Sequence, residues 1–135
     1  MNPYLNDAEV ALVEALRSGR YQQTKGCLIA MGADKVVSHC CLGVACDLSR
    51  KGQWMDYRYQ DNTRAPRGEA DCSDVYLTYA VQQELGWSRA GLLEFAVRND
   101  SVLATLALLN DFGFSFSQLA DIIEAGLVEK SKEVK

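Results

Sequence analysis

Hydrophobic positions near the start of the chain follow helical spacing. Asn6 is followed three residues later by Glu9, the pattern of a capping box, and the alanine and leucine residues after it share one face. Gly19 stands where a helix of this length would end. The pattern therefore predicts a helix over residues 6–18.

The same start signal recurs near the other end of the chain. Ser115 and Gln118 form a second capping-box pattern, and the apolar residues of "FSQLADIIEA" follow the i, i+3, i+4, i+7 rule. Gly126 is placed to end this helix, and "LVEKSKEVK" after it is typical of a short amphipathic or frayed tail over residues 126–135.

Two apolar runs in "CLIAMGADKVVSHCC" flank the turn-forming residues 32–35, so we expect a short β-hairpin over residues 27–40. Residues 41–50 then return to helical spacing, with Gly52 available to end that element.

The later segments also favour helices. The stretch "VYLTYAVQQELGW" fits both helical and strand periodicity, and we interpret it as a helix. Ser88 is a start signal before "RAGLLEFAV", and Asp100 or Ser101 is placed to cap "VLATLALLN". We therefore predict a mainly α fold, a single domain over residues 1–135 with five or six short helices and one hairpin.

Composition limits the function classes. The 135 residues are 48% hydrophobic and 24% charged, as expected for one globular domain. The formal net charge of −4 argues against a nucleic-acid partner, because such a partner needs a basic surface. No apolar run is long enough to span a membrane and no secretory signal opens the chain, so we expect no membrane partner.

Five cysteines and one histidine make up the candidate metal and thiol chemistry. The candidate ligands are Cys27, His39, Cys40, Cys41, Cys46 and Cys72. They lack the paired spacing of zinc sites, and a nucleophilic pair of Cys72 with His39 has no further support. Three of the cysteines lie in "CCLGVAC", where we expect small core residues, with Gly43 allowing another element to approach closely. An odd count with two adjacent cysteines indicates reduced thiols and a cytoplasmic location.

Three segments resemble a family of small uncharacterised proteins encoded by tailed bacteriophages: "ALRSGRYQQTKGCL", "CCLGVACDLS" and "LALLNDFGFSFSQLADIIE". Between them, "EADCSDVYLTYAVQQELGW" departs from that family's pattern. The resemblance implies a phage origin and expression in a bacterial host cytoplasm, without an assigned chemistry.

Residues 52–70, "GQWMDYRYQDNTRAPRGEA", form the best candidate site. Nineteen positions without Leu, Ile or Val predict a long segment without regular structure, and such segments are often functional. Arginine binds phosphate and aromatic rings stack on nucleobases, the two interactions that a nucleotide requires. The candidate ligand-binding residues are Arg17, Tyr21, Lys25, Trp54, Tyr57, Arg58, Arg64 and Arg67. The alternative is that these aromatic residues pack on the domain and the arginines only solubilise the segment.

We therefore expect a phage protein that captures a small anionic, nucleotide-like ligand in the host without catalysis and without a cofactor. The alternative is an acidic inhibitor of a basic or nucleic-acid-binding host protein. A metal or thiol enzyme is a third hypothesis, although no catalytic motif is present.

"FGFSFSQLADIIEAGL" resembles the opening of a helix-turn-helix, but too few residues follow it for a recognition helix. The apolar faces are compatible with a homodimer.

Overall fold

The structure is a computed structural model that describes residues 2–31, 36–49, 52–55, 58–61, 72–73, 79–88 and 105–130. In the range 52–79 the structure describes the side chain of Trp54 and, for the other described residues, the backbone alone.

Five helices lie in the described part of the chain. They are α1 (Asp7–Arg17), α2 (Cys41–Leu48), α3 (Tyr79–Leu85), α4 (Leu106–Asp111) and α5 (Phe116–Glu124). The capping boxes predicted at Asn6 and Ser115 are both present, so the start signals of α1 and α5 are confirmed. Thr105 caps α4, whereas the caps expected at Asp100 or Ser101 lie outside the described residues, as does "RAGLLEFAV".

Within the described residues, six short strands form two three-stranded sheets. The first contains β1 (Gln22–Gln23), β2 (Ile29–Met31) and β3 (Val37–His39), in the order β1-β3-β2, with β1 parallel and β2 antiparallel to β3. Ala30 lies opposite Ser38, which confirms the strand pairing predicted for residues 27–40. The predicted turn over residues 32–35 lies outside the described residues.

The second sheet contains β4 (Gly52–Met55), β5 (Arg58–Asp61) and β6 (Cys72–Ser73), all antiparallel, in the order β4-β5-β6. It shows that the prediction of a mainly α fold is wrong, because the fold is a mixture of helices and small sheets. Residues 52–55 and 58–61 were also wrongly expected to lack regular structure. Trp54 and Tyr59 are cross-strand partners, and aromatic residues are favoured in strands even where aliphatic residues are missing.

The helices enclose one hydrophobic core, in which α1 packs against α5, α2 and α3. The fully buried side chains include Leu12, Leu28, Leu42, Val44, Leu106, Leu119 and Ile123. Cys40, Cys41 and Cys46 belong to this core, so the prediction that the cysteine segment packs in the interior is confirmed. No helix in the described ranges has the length and apolar content needed to cross a membrane.

The glycine of the cysteine segment explains how α2 meets the first sheet. A Cβ atom placed on Gly43 would lie 1.8 Å from the carbonyl oxygen of Leu28. The Cys40 amide also donates to that oxygen, at 3.1 Å. The close approach expected at Gly43 is therefore confirmed, and Leu28 is the residue that approaches.

Asn110 joins three elements from a fully buried position at the end of α4. Its Oδ1 accepts hydrogen bonds from the Cys41 amide at 3.2 Å and from Gln23 Nε2 at 2.8 Å, and its Nδ2 donates to the Thr24 carbonyl at 2.8 Å. Because buried backbone groups need partners, this amide fixes the start of α2 against β1.

A buried carboxylate joins the two ends of the described chain. Glu9 on α1 is fully buried and accepts from Trp87 Nε1 at 3.0 Å, from the Asn6 amide at 3.2 Å and from the Lys130 ammonium. Val128 is also buried, and Trp87 forms a β-bridge with Lys130. The end of the chain is thus attached to the core as far as Lys130.

Candidate functional site

A cluster of four side chains lies beside the C-terminal end of α2. Asp47, in the last turn of that helix, accepts a hydrogen bond on Oδ2 from the Tyr21 hydroxyl at 2.6 Å and on Oδ1 from Trp54 Nε1 at 3.0 Å. Tyr21 lies just before β1 and Trp54 lies in β4, so the carboxylate holds one aromatic ring beside the first sheet and one ring of the second sheet. With His39 these residues form what we call the Asp47 cluster.

His39 contacts both aromatic rings through ring edges. Its ring centroid is 5.1 Å from that of Tyr21, with an angle of 89° between the ring planes, and 5.9 Å from that of Trp54, with an angle of 63°. These are the edge-to-face geometries that aromatic quadrupoles favour. The imidazole is only 8% exposed, and its Nδ1 has no hydrogen-bond partner among the described residues.

Burial and the Asp47 carboxylate set the protonation of the cluster. Burial, the hydrogen bond to Asp47 and the charge of Asp47 raise the pKa of Tyr21 to about 12, and the charge of Arg20 opposes them. Burial lowers the pKa of His39 below its ordinary value, while the charge of Asp47 opposes this shift. Near neutral pH the phenol is therefore protonated and the imidazole neutral.

The lowered pKa of His39 predicts a pH-dependent stability. The unfolded chain binds a proton on this residue at a higher pH than the folded chain does, so folding should weaken as the pH decreases below about 6.5. We expect the stability difference between the wild-type protein and His39→Gln to shrink as the pH is lowered from about 7.5 to about 5. Urea titrations of both proteins across this range measure that difference.

His39 is the only histidine of the chain, and the shared carboxyl groups titrate in both proteins, so they largely cancel in the comparison. A stability difference that stays constant over this pH range would show that His39 titrates alike in the folded and unfolded states.

The structure brings together Tyr21 and Trp54 from the predicted ligand-binding residues. Arg17 lies elsewhere, in ion pairs with Asp121 and Glu124 at 2.7 Å each. Lys25 is exposed in the loop between β1 and β2, and Arg58 lies in β5 opposite Met55, with its side chain outside the description. The remaining predicted residues, Tyr57, Arg64 and Arg67, lie outside the described residues.

Asp47 was not among the residues predicted from the sequence, and His39 was considered as a metal ligand or a partner of Cys72 within a segment expected to pack in the core. A signal for Asp47 was present, because it is the only charged residue between Cys40 and Leu48. A lone carboxylate within an apolar helix usually has a specific polar partner.

The thiols of Cys40 and Cys41 are poorly suited to nucleophilic chemistry. Burial raises the pKa of Cys40 to about 11 and that of Cys41 well above its ordinary value. Both thiols therefore remain protonated near neutral pH, and the thiolate is the reactive form. In the described part of the chain, no three potential ligand side chains come together at a possible metal site. The Cys72 side chain lies outside the description, so its pairing with His39 stays a hypothesis.

Comparisons with known proteins add a family but no activity. Residues 5–127 match the family model described as Domain of unknown function (DUF8296). No curated protein and no solved structure matches the chain.

Proposed function

The chain belongs to the DUF8296 family, and we propose that it is a non-catalytic binding protein that captures a small anionic, nucleotide-like ligand at the Asp47 cluster. Capture lowers the concentration of free ligand by mass action and requires a complementary site but no reacting group.

The observation that carries the proposal is the convergence of Tyr21 and Trp54 on Asp47. Both rings are half-buried, so each has a part that packs on the protein and a part that reaches solvent. Their polar atoms are held by one carboxylate, at 2.6 Å and 3.0 Å, and this fixes the rings before a ligand arrives. Fixed aromatic rings are suited to stack on a base, because little side-chain entropy is lost on binding.

An exposed guanidinium beside the cluster also supports an anionic ligand. Arg20 is exposed and adjacent to Tyr21, and its charge acts on the Tyr21 hydroxyl, so a guanidinium is available for a phosphate.

The setting that we propose is a bacterial cell infected by a tailed phage, with the protein in the host cytoplasm. Support comes from the resemblance of the "CCLGVACDLS" segment to phage proteins. The buried thiols of Cys40 and Cys41 agree with a reducing cell interior.

Removal of the Trp54 ring should weaken nucleotide binding. Base stacking on an aromatic ring contributes about 1–3 kcal/mol, so Trp54→Ala should bind roughly 5- to 150-fold more weakly than the wild-type protein. Isothermal titration calorimetry against mono-, di- and cyclic nucleotides measures the affinity, and circular dichroism checks that the variant folds.

Tyr4→Ala is the matched control, because Tyr4 is 89% exposed and its loss removes an aromatic ring away from the cluster. This variant should bind as the wild-type protein does. If no nucleotide in the panel binds the wild-type protein, the proposal is wrong.

A protein partner is the second candidate function. It is favoured by apolar side chains that the fold leaves exposed, namely Met31, Val36, Val37, Phe112 and Phe114. With a net charge of −4, the expected partner is a basic host protein whose binding weakens with added salt. A flat nucleotide panel together with salt-dependent binding of such a protein would favour this candidate.

A further inference from the structure

We infer that the Asp47 cluster selects guanine among the nucleobases, with Asp47 as the residue that determines this specificity. The inference rests on the proposed function, since it names the base that the same site would bind.

Asp47 can accept more hydrogen bonds than the two that it receives from Tyr21 and Trp54. An ionised carboxylate has two oxygens and about four lone-pair positions, and it donates no hydrogen bond. Tyr21 occupies one position on Oδ2 and Trp54 occupies one on Oδ1. Each oxygen therefore keeps accepting capacity, and the residue is exposed, so a ligand has access to it.

The position of the carboxylate makes this capacity relevant to a stacked base. Asp47 binds the polar edges of both aromatic rings, so the inferred binding mode is a base stacked over one of the rings with its own edge turned toward the carboxylate. A base edge that presents carbonyl oxygens there would form no hydrogen bond with the carboxylate, because both groups only accept hydrogen bonds. A base edge that presents N–H groups would form hydrogen bonds to a charged group, which are stronger than those between neutral groups.

Guanine is the common base with two neighbouring N–H donors on one edge, its ring N–H and its amino group. Two adjacent donors match the two oxygens of one carboxylate, as the guanidinium of arginine does. Adenine and cytosine present a single amino group next to an acceptor nitrogen, and uracil presents one N–H between two carbonyl groups. The carboxylate therefore favours guanine over all three.

His39 does not reverse this preference. Its imidazole is buried, and in the neutral form it carries one donor and one acceptor, so it favours neither kind of base edge. The selection between bases accordingly depends on Asp47.

The test compares guanosine monophosphate with inosine monophosphate, which differ only in the amino group. Wild-type protein should bind guanosine monophosphate about 10- to 100-fold more tightly, the range expected for one hydrogen bond to a charged acceptor. Asp47→Asn should bring this ratio close to one, because an amide offers a donor as well as an acceptor. Calorimetric titration gives all four affinities.

Glu14→Gln is the matched control, since it removes the same charge from an exposed position on α1 and should keep the wild-type ratio. Equal binding of the two nucleotides by the wild-type protein, or tighter binding of adenosine monophosphate, would overturn the inference and leave the proposed function standing. Binding of no nucleotide at all would overturn the proposed function itself. If Asp47→Asn fails to fold, the ratio of the two nucleotide affinities in the wild-type protein still tests the selection of guanine.

Discussion

Replacement of Gly43 by alanine is expected to lower the free energy of unfolding by more than about 3 kcal/mol, the upper end of what overpacked cores usually lose. The added Cβ would lie 1.8 Å from the Leu28 carbonyl oxygen, a backbone atom that cannot rotate away. In an isolated helix the same change would stabilise by about 1 kcal/mol, because alanine has the higher helix propensity. A loss of stability would show that the contact with Leu28 dominates, whereas a gain would show that helix propensity dominates. Urea titration followed by circular dichroism measures it.

Gly19→Ala provides the comparison for this first prediction. Gly19 has a φ of 77°, and a Cβ there would meet no atom within 4 Å. Its replacement should cost only the backbone strain of the left-handed conformation, about 1–2 kcal/mol. If Gly43→Ala were no more destabilising than Gly19→Ala, α2 and Leu28 would not be in direct contact.

Replacement of Glu9 by alanine is the second change for which we expect a large effect, a loss of about 3–5 kcal/mol. The carboxylate is fully buried and accepts from Trp87, Asn6 and Lys130. Its removal leaves the indole N–H of Trp87 buried without its acceptor and the Lys130 ammonium without its counter-charge. Urea titration gives the loss, with the emission of the buried Trp87 as a second signal.

Glu14→Ala, on the exposed side of the same helix, should change stability by less than about 0.5 kcal/mol. A local measurement adds a further check. The Ser88 amide donates to the Glu129 carbonyl at 3.2 Å, and its hydrogen exchange should accelerate in Glu9→Ala once Lys130 is released. Unchanged exchange and a small loss of stability would show that Glu9 does not hold the end of the chain.

Local signals in the sequence were sufficient for the starts of α1 and α5 and for the core cysteines. Asn6 and Ser115 bind groups three residues away, so the pattern alone contains the whole interaction. The burial of Cys41 and Cys46 follows from the apolar residues beside them. The strand pairing predicted over residues 27–40 likewise depends on residues close in sequence.

The second sheet was not predictable from hydrophobic spacing. β4 and β5 contain aromatic, polar and charged residues, and their strand conformation depends on pairing with each other and with β6. When pairing with other strands determines a strand, the alternation of apolar and polar residues along its own sequence is weak. The prediction of a mainly α fold was wrong for this reason.

The candidate site depended on contacts that sequence spacing does not encode. Asp47 binds a residue 26 positions earlier, just before β1, and one 7 positions later, in β4. The aromatic residues Tyr21 and Trp54 were recognisable by type, but the acceptor that holds them became evident only from the fold. Arg17 was predicted as a ligand-binding residue because of its charge, but in the structure it forms ion pairs with two carboxylates of α5.

The bond between Glu9 and Lys130 joins residues 121 positions apart, and it has a consequence for synthesis on the ribosome. While translation proceeds, α1 emerges early, but the cation that neutralises its inward-facing carboxylate is made more than a hundred residues later. Until then, burying this face of α1 would enclose an uncompensated negative charge, which is strongly unfavourable. We therefore expect docking of this face of α1 to follow the synthesis of Lys130.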